Sequence, residues 1–480
     1  MERGFSSIVP SFYRRMKLPT RSPKLRDGAP RARRWAALAL AILVPLGPAH
    51  AQLRLPGVPT TPSVPSAPLP NLPGPTPGPL TAPVRSADSV VAALPLQELR
   101  QRTIGELMRR YPERIEADPA GEPIVRGELL LVSPSAALLA TARAQGYSVL
   151  REQSLDGLGE RIVVLRAPPG TGTADALEQL RAIDPNLEVD FNHLYTRSGD
   201  DSHPGHASTP GPAPPVLRSA PGSRVRVGLV DGGVDAHHPA LRDADIHHWG
   251  CGGHTVRSPH GTAVGSLLVG KIGPFRGAAA AASLYAADVY CAQPTGGAAE
   301  TIVQALAWMA REQVPVVNLS LVGPANRLLE RAVRALAARG QIVVAAVGND
   351  GPQAPPLYPA SYPEVVGVTA VNASRNVLPE AARGPQVAFA APGADMAVAT
   401  ERGFEPARGT SYAAPIVAGL LASLLRVPDP AGAVRAIAEL AQSATDLGEP
   451  GRDPAYGWGL VGETVRVHPE RMQAYLRSAR

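Results

Sequence analysis

Between Val225 and Ser443, short apolar runs alternate with segments of helical period, and no other feature of the chain restricts its fold as much. Strands are predicted at 224–231, 283–290, 315–321, 341–347, 365–371 and 386–391. Helices are predicted at 260–271, 298–312, 325–339, 411–425 and 431–443. The strands read as nearly unbroken apolar runs, which marks burial on both faces. Helices placed between successive strands join parallel neighbours. The expected fold class is therefore α/β, a doubly wound parallel sheet with helices on both faces. In open sheets of this kind, sites lie beyond the carboxyl ends of the strands.

One such place is Arg408-Gly409-Thr410-Ser411, directly before the small, apolar run Ala413 to Leu425. Gly409 can take backbone angles closed to other residues, so a sharp turn can lift the Ser411 hydroxyl to the start of a helix. The first amides of a helix have no partner inside it and face whatever lies beside the serine. That suits a nucleophile whose reaction creates a negative oxygen, but it also describes an ordinary serine N-cap. A serine nucleophile needs a base, and the base needs an orienting acid. Ser258-Pro259-His260-Gly261-Thr262 places a histidine at the start of a small-residue helix. Val225 to Val230 is an apolar strand ending in Asp231-Gly232-Gly233, and Ile342 to Val347 is a buried strand followed by Gly348-Asn349. A single Asp or Asn at a strand end is usually turn chemistry. The ordered set Asp231, His260, Asn349 and Ser411, each at a strand end or helix start, points to acyl transfer.

These stretches, with Ser320-Leu321-Val322-Gly323 and the run Gly409 to Pro415, resemble in order the motifs of the subtilisin-like serine proteases. The likeness covers about Val225 to Val465 and implies a subtilisin-like catalytic domain over 224–470. It implies that Ser411 attacks a peptide carbonyl, that His260 carries the proton, and that Asp231 holds the imidazole. The Asn349 side-chain amide and the Ser411 N–H would face the oxyanion. Ser320, Leu321, Val322 and Gly323 would form an edge strand that pairs with substrate and walls its first pocket. Gly232 stands where the family usually has Ser or Thr, Val322 where Gly is usual, and Tyr412 replaces a more common Met. Two other functions fit the same motifs: a processing enzyme with one target, and an idle copy of the fold used for binding. Idle copies usually lack a triad member, and none is missing here. Calcium binding is implied by the resemblance alone. No cofactor or metal is otherwise expected, and His237-His238, His247-His248 and His254 read as solvated loop histidines.

Residues 1–51 read as an export leader: Arg31-Ala32-Arg33-Arg34, the apolar run Trp35 to Val44, and a small-x-small cleavage site ending at Ala51. The leader is overlong, and a start at Met16 or later would shorten it. Its apolar run is too short to span a bilayer, so a secreted or periplasmic protein without stable membrane insertion is expected. Proline-dense residues 52–95 read as a tether. Residues 96–126 read as a helical segment, with Leu96, Leu99, Leu107, Met108 and Tyr111 near one face.

Residues 127–195 read as a small α+β unit in the order β-α-β-β-α-β, which is ferredoxin-like. By pattern and position this unit resembles the inhibitory propeptide of subtilisin-like precursors. That likeness implies self-cleavage in the Ser-, Pro- and Gly-rich linker 196–223. A permanently attached accessory domain is the other reading. No further domain is expected after Val461.

The chain carries a net charge of +6, but residues 1–34 hold ten Arg or Lys and two acidic groups, so the remainder is at −2. Once the leader is gone, nothing argues for a nucleic-acid partner. Protein or peptide substrates and a monomer are expected. Cys251 and Cys291 flank the His260 helix in sequence. An even pair in an exported protein favours a disulfide, with two buried thiols as the alternative.

Overall fold

The computed structural model describes residues 95–197 and 225–479, together with Asp88 and Val91. The leader, nearly all of the tether and linker residues 198–224 lie outside the described residues.

The chain first builds the small unit: α1 (Leu96–Arg110), β1 (Ile115–Ala117), β2 (Pro123–Val132), α2 (Ala136–Ala144), β3 (Ser148–Leu155), β4 (Glu160–Arg166), α3 (Thr173–Ile183) and β5 (Val189–His193). The expectation of a helical segment over 96–126 holds only as far as Arg110. Tyr111 comes next and precedes Pro112, and a residue before proline is driven out of the helical region. Ile115–Ala117 instead pairs antiparallel with β2. The remaining strands lie in the order β5-β2-β4-β3, all antiparallel, as the β-α-β-β-α-β reading requires.

The second region follows as β6 (Thr196–Arg197), β7 (Arg226–Asp231), β8 (Ile246–Gly250), α4 (Pro259–Val269), the short pair β9 (Lys271–Ile272) and β10 (Phe275–Arg276), β11 (Ser283–Asp288), α5 (Ala299–Arg311), β12 (Val316–Leu319), β13 (Leu321–Val322), α6 (Arg327–Ala338), β14 (Ile342–Ala346), β15 (Val365–Val371) and β16 (Val387–Pro392). A hairpin, β17 (Ala394–Thr400) and β18 (Gly403–Arg408), leads into α7 (Thr410–Leu424), then α8 (Pro430–Ser443) and α9 (Pro469–Ser478). Seven strands form a parallel sheet in the order β16-β15-β14-β12-β7-β11-β8. Chain order reverses beside β7, and a cleft opens at such a point beyond the strand ends.

Sequence reasoning missed β8, because Ile246-His247-His248-Trp249-Gly250 is a half-buried edge strand with no apolar run. His247 and His248 are therefore strand residues, and His247 stacks on Tyr285 with ring centroids 4.5 Å apart. His238 is also not solvated. It is buried, accepts from the Ala240 N–H at Nδ1, and its Nε2 lies 2.9 Å from the Gly403 carbonyl. Burial holds the His238 and His248 pKa values below the usual histidine range. His237 and His254 are exposed, as expected.

The two regions share a core. In β2, consecutive apolar residues point to opposite faces. Leu129 and Leu131 pack with Leu138, Leu139, Leu177 and Leu180 beneath α2 and α3. Leu130 and Val132 join Ile162 and Val164 against Ile302, Leu306, Leu329 and Val333 of α5 and α6. Polar groups close the seam. The Arg151 guanidinium bridges buried Glu300 and Glu128 at 2.7 and 2.6 Å, and Arg331 holds Glu160 and Glu188 at 2.7 and 2.8 Å. Asp190 accepts from the Arg327 amide at the start of α6, where a helix favours an anion. Among the described residues, no helix is long and apolar enough to cross a membrane.

Candidate active site

β18 ends at Arg408 and α7 begins two residues later. The single connecting residue, Gly409, has φ 133° and ψ 163°, a conformation reserved for glycine. Gly409, not Ser411, is the N-cap, so Ser411 is the second residue of the helix. That removes the ordinary capping explanation for the serine. α7 is buried from Thr410 to Gly419 apart from Tyr412, which explains its run of small and apolar residues.

His260 is likewise the second residue of α4. Ser258 caps that helix by accepting from the Gly261 amide, with Pro259 at the first helical position. A Cβ on Gly261 would lie 2.2 Å from the Gly232 carbonyl oxygen. Glycine there lets α4 press against the end of β7, where Asp231 sits. A Cβ on Gly232 would lie 2.5 Å from the Ser258 Cβ, so the room a Ser or Thr side chain would need is already filled by Ser258.

These turns bring together three side chains from distant parts of the chain. His260 Nδ1 lies 2.8 and 3.0 Å from the two Asp231 carboxylate oxygens, and His260 Nε2 lies 3.0 Å from Ser411 Oγ. All three residues are buried. Asp231 also accepts from the Gly232 amide at 2.6 Å, which fixes the carboxylate. Asn349, just past β14, accepts from the Thr410 N–H through Oδ1 at 3.0 Å. This turns the amide's oxygen toward the helix start and leaves its NH₂ as the donor end. Tyr412 packs its ring 5.6 Å from the His260 imidazole.

The stretch Ser320 to Gly323 divides into three. Leu321 and Val322 form β13 and pair antiparallel with Arg197 and Thr196 of β6. Gly323 exchanges backbone hydrogen bonds with Tyr358 at 2.9 Å. Ser320 is fully buried, and its hydroxyl donates to the Ser411 carbonyl at 3.0 Å while accepting from Asn318 Nδ2 at 2.9 Å. The reason lies in α7. In a regular helix the Ser411 carbonyl would accept from residue 415, and Pro415 has no N–H to give. Ser320 supplies the missing donor and thereby ties down the backbone of Ser411.

Cys251 and Cys291 form a disulfide across a sequence separation of 40. Asp288, the last residue of β11, lies beside them and opposite Asp231 in the sheet ladder. Cys251, Asp288 and Cys291 converge closely enough for a metal, but both sulfurs are committed to the disulfide, so the thiolate ligands a metal requires are not available. Among the described residues this is the one such cluster of Cys, His and acidic groups. Sequence reasoning overlooked Asp288, although an acid at the carboxyl end of an apolar strand is the same signal that singled out Asp231.

A buried carboxylate, imidazole and hydroxyl in series, at the carboxyl end of a parallel sheet, make a site suited to serine-based acyl transfer. Comparison with known proteins agrees. Residues 222–459 match the model of the subtilase family. Subtilisin DY of Bacillus licheniformis is 31% identical over 249 residues, covering 50% of this chain and 89% of that protein. The minor extracellular protease Epr of Bacillus subtilis (strain 168) is 30% identical over 254 residues, 50% of this chain but only 38% of Epr. Fervidolysin from Fervidobacterium pennivorans, a keratinolytic enzyme related to subtilisin, shares the fold with a TM-score of 0.57 at 20% identity, covering 76% of this chain and 62% of that one. The chain belongs to the subtilase family of serine proteases.

Proposed function

We propose that the protein is an exported serine endopeptidase, made as a precursor that cuts itself. The hydrogen-bond series Asp231–His260–Ser411 carries this reading. Ser411 Oγ attacks the peptide carbonyl while His260 Nε2 takes its proton. Asp231, held by the Gly232 amide, keeps the proton on Nδ1 and stabilises the imidazolium. His260 then gives the proton to the leaving amine, and water releases the acyl group. The Asn349 amide and the Ser411 N–H, free of helical partners in the first turn, face the oxyanion.

The small unit is the candidate inhibitor. Its last strand runs through Tyr195 into β6, which lies on β13 as a bound peptide would. Its sheet shares the apolar core of α5 and α6, so it would stay bound after cleavage. Cleavage is expected between Tyr195 and Ser223, releasing 127–195 with the segment before it. The leader directs the chain across the membrane before this happens.

The test is Ser411→Ala. The variant should lose casein hydrolysis and fluorophosphonate labelling, and should keep its linker intact. Hydrolysis by the pure variant would refute the nucleophile. An active wild-type enzyme whose N-terminus still lies before residue 195 would refute the maturation step.

A further inference from the structure

The strand that leaves the small unit is Tyr195-Thr196-Arg197. Tyr195 is anchored first: it is buried, its hydroxyl donates to the Pro324 carbonyl at 2.7 Å, and its N–H donates to the Gly297 carbonyl at 2.9 Å. Thr196 then stands opposite Val322, and Arg197 opposite Leu321. The Arg197 guanidinium lies over the Tyr290 ring, 4.5 Å from its centroid. One of its terminal nitrogens lies 3.3 Å from the point a Cβ on Gly232 would occupy, one residue beyond Asp231. Gly232 therefore leaves room for Arg197 as well as for Ser258.

Asp288 shares this corner. Its Oδ1 accepts from the Tyr290 and Cys291 amides at 3.0 and 2.9 Å. Its Oδ2 is buried with no hydrogen-bond partner among the described residues, and the residue is 5% exposed. Burial pushes the Asp288 pKa up, and the nearby Arg197 charge acts in the opposite direction. The Cys251–Cys291 bridge holds the loop whose amides fix this carboxylate. An unpaired buried carboxylate oxygen is costly, and a cation beside it relieves the cost. The Tyr290 face adds attraction for the same cation.

A peptide in the register of β6 places its next residue opposite Ser320, whose hydroxyl touches the Ser411 backbone. The residue in the place of Arg197 is then the second one before the bond that is cut. We propose that Asp288, with Tyr290, is a specificity-determining residue that selects arginine or lysine at the second position on the acyl side of the cleaved bond. This inference rests on the protease reading above. In the precursor Arg197 stands at that position, with its guanidinium over the Tyr290 ring.

The test uses the self-activated full chain and fluorogenic amides of acetyl-Tyr-Thr-Arg-Ser, with Ala or Glu in place of Arg. The Arg peptide should exceed the Ala peptide about ten-fold or more in kcat/KM, with the Glu peptide lowest. Asp288→Asn keeps an oxygen for the two amides and removes the charge, so the Arg-to-Ala ratio should fall towards one and the Glu peptide should recover. A purely structural role would lower all three peptides together and leave the ratios unchanged, which overturns the proposal. So does a wild-type Arg-to-Ala ratio near one, whatever the variant does. Casein hydrolysis by the same preparation separates the two readings. Casein cut without an Arg preference sinks only this inference. Casein and all three peptides left intact by a labelled enzyme sink the protease reading and this inference with it.

Discussion

Replacing Ser320 by alanine isolates the contact that secures the Ser411 backbone. The Ser320 hydroxyl is the donor to the Ser411 carbonyl, and both residues are fully buried. Without it that carbonyl has no donor, because Pro415 cannot provide one. A lost hydrogen bond that leaves a buried acceptor unsatisfied costs roughly 1–3 kcal/mol, so about 2 kcal/mol is expected. In a domain of this size that lowers the melting temperature by about 4–8 °C. The measurement is best made in a Ser411→Ala background, which removes the proposed nucleophile and leaves the carbonyl unchanged. Pro415→Ala supplies the reference, since it restores an N–H one helical turn beyond Ser411. In that background Ser320→Ala should cost less than about 1 kcal/mol, a coupling of about 1 kcal/mol or more between the two sites. Strictly additive losses would refute the argument. In active enzyme, Ser320→Ala should slow fluorophosphonate labelling while leaving peptide KM nearly unchanged.

Asn349→Ala should lower kcat roughly a hundred-fold or more with little change in KM, because the donor acts on the developing oxyanion; an unchanged kcat would remove Asn349 from that role. Alkylation followed by intact mass should find no free thiol before reduction, and reduction should destabilise the fold by about 4 kcal/mol in the chain-entropy account of a bridge of this span. Arg151→Ala leaves Glu300 and Glu128 buried without their cation, and should weaken retention of the cleaved small unit by about ten- to a hundred-fold, read by co-elution on gel filtration. His238 has its pKa lowered by burial, so the neutral ring is the stable form. Its contribution is complete above the unfolded value near 6.5 and is lost as pH falls through the folded value, and His238→Gln should flatten that part of the stability profile.

The sequence alone determined the parallel sheet and the candidate residues at its carboxyl end. Unbroken apolar strands can be buried only between two helical layers, and Gly409 and Gly261 are glycines because the backbone conformation or approach leaves no room for a side chain. For that reason Asp231, His260, Asn349 and Ser411 could be picked out from local patterns. The pattern of the small unit was legible for the same reason, whereas β1 was hidden behind Pro112 and β8 lacked an apolar run. What needed the tertiary structure were contacts between groups far apart in the chain. Ser320 was expected in an edge strand beside substrate, and only the approach of α7 shows that its hydroxyl also replaces a hydrogen bond that Pro415 cannot make. Asp288 is one acid among many in the sequence, and becomes a candidate selector only when the fold buries one oxygen and brings Arg197 onto the neighbouring Tyr290 ring. Local conformation is written in neighbouring residues through sterics and hydrogen bonding. Partners as far apart as Ser320 and Ser411 are set by how whole layers pack, and that no local pattern records.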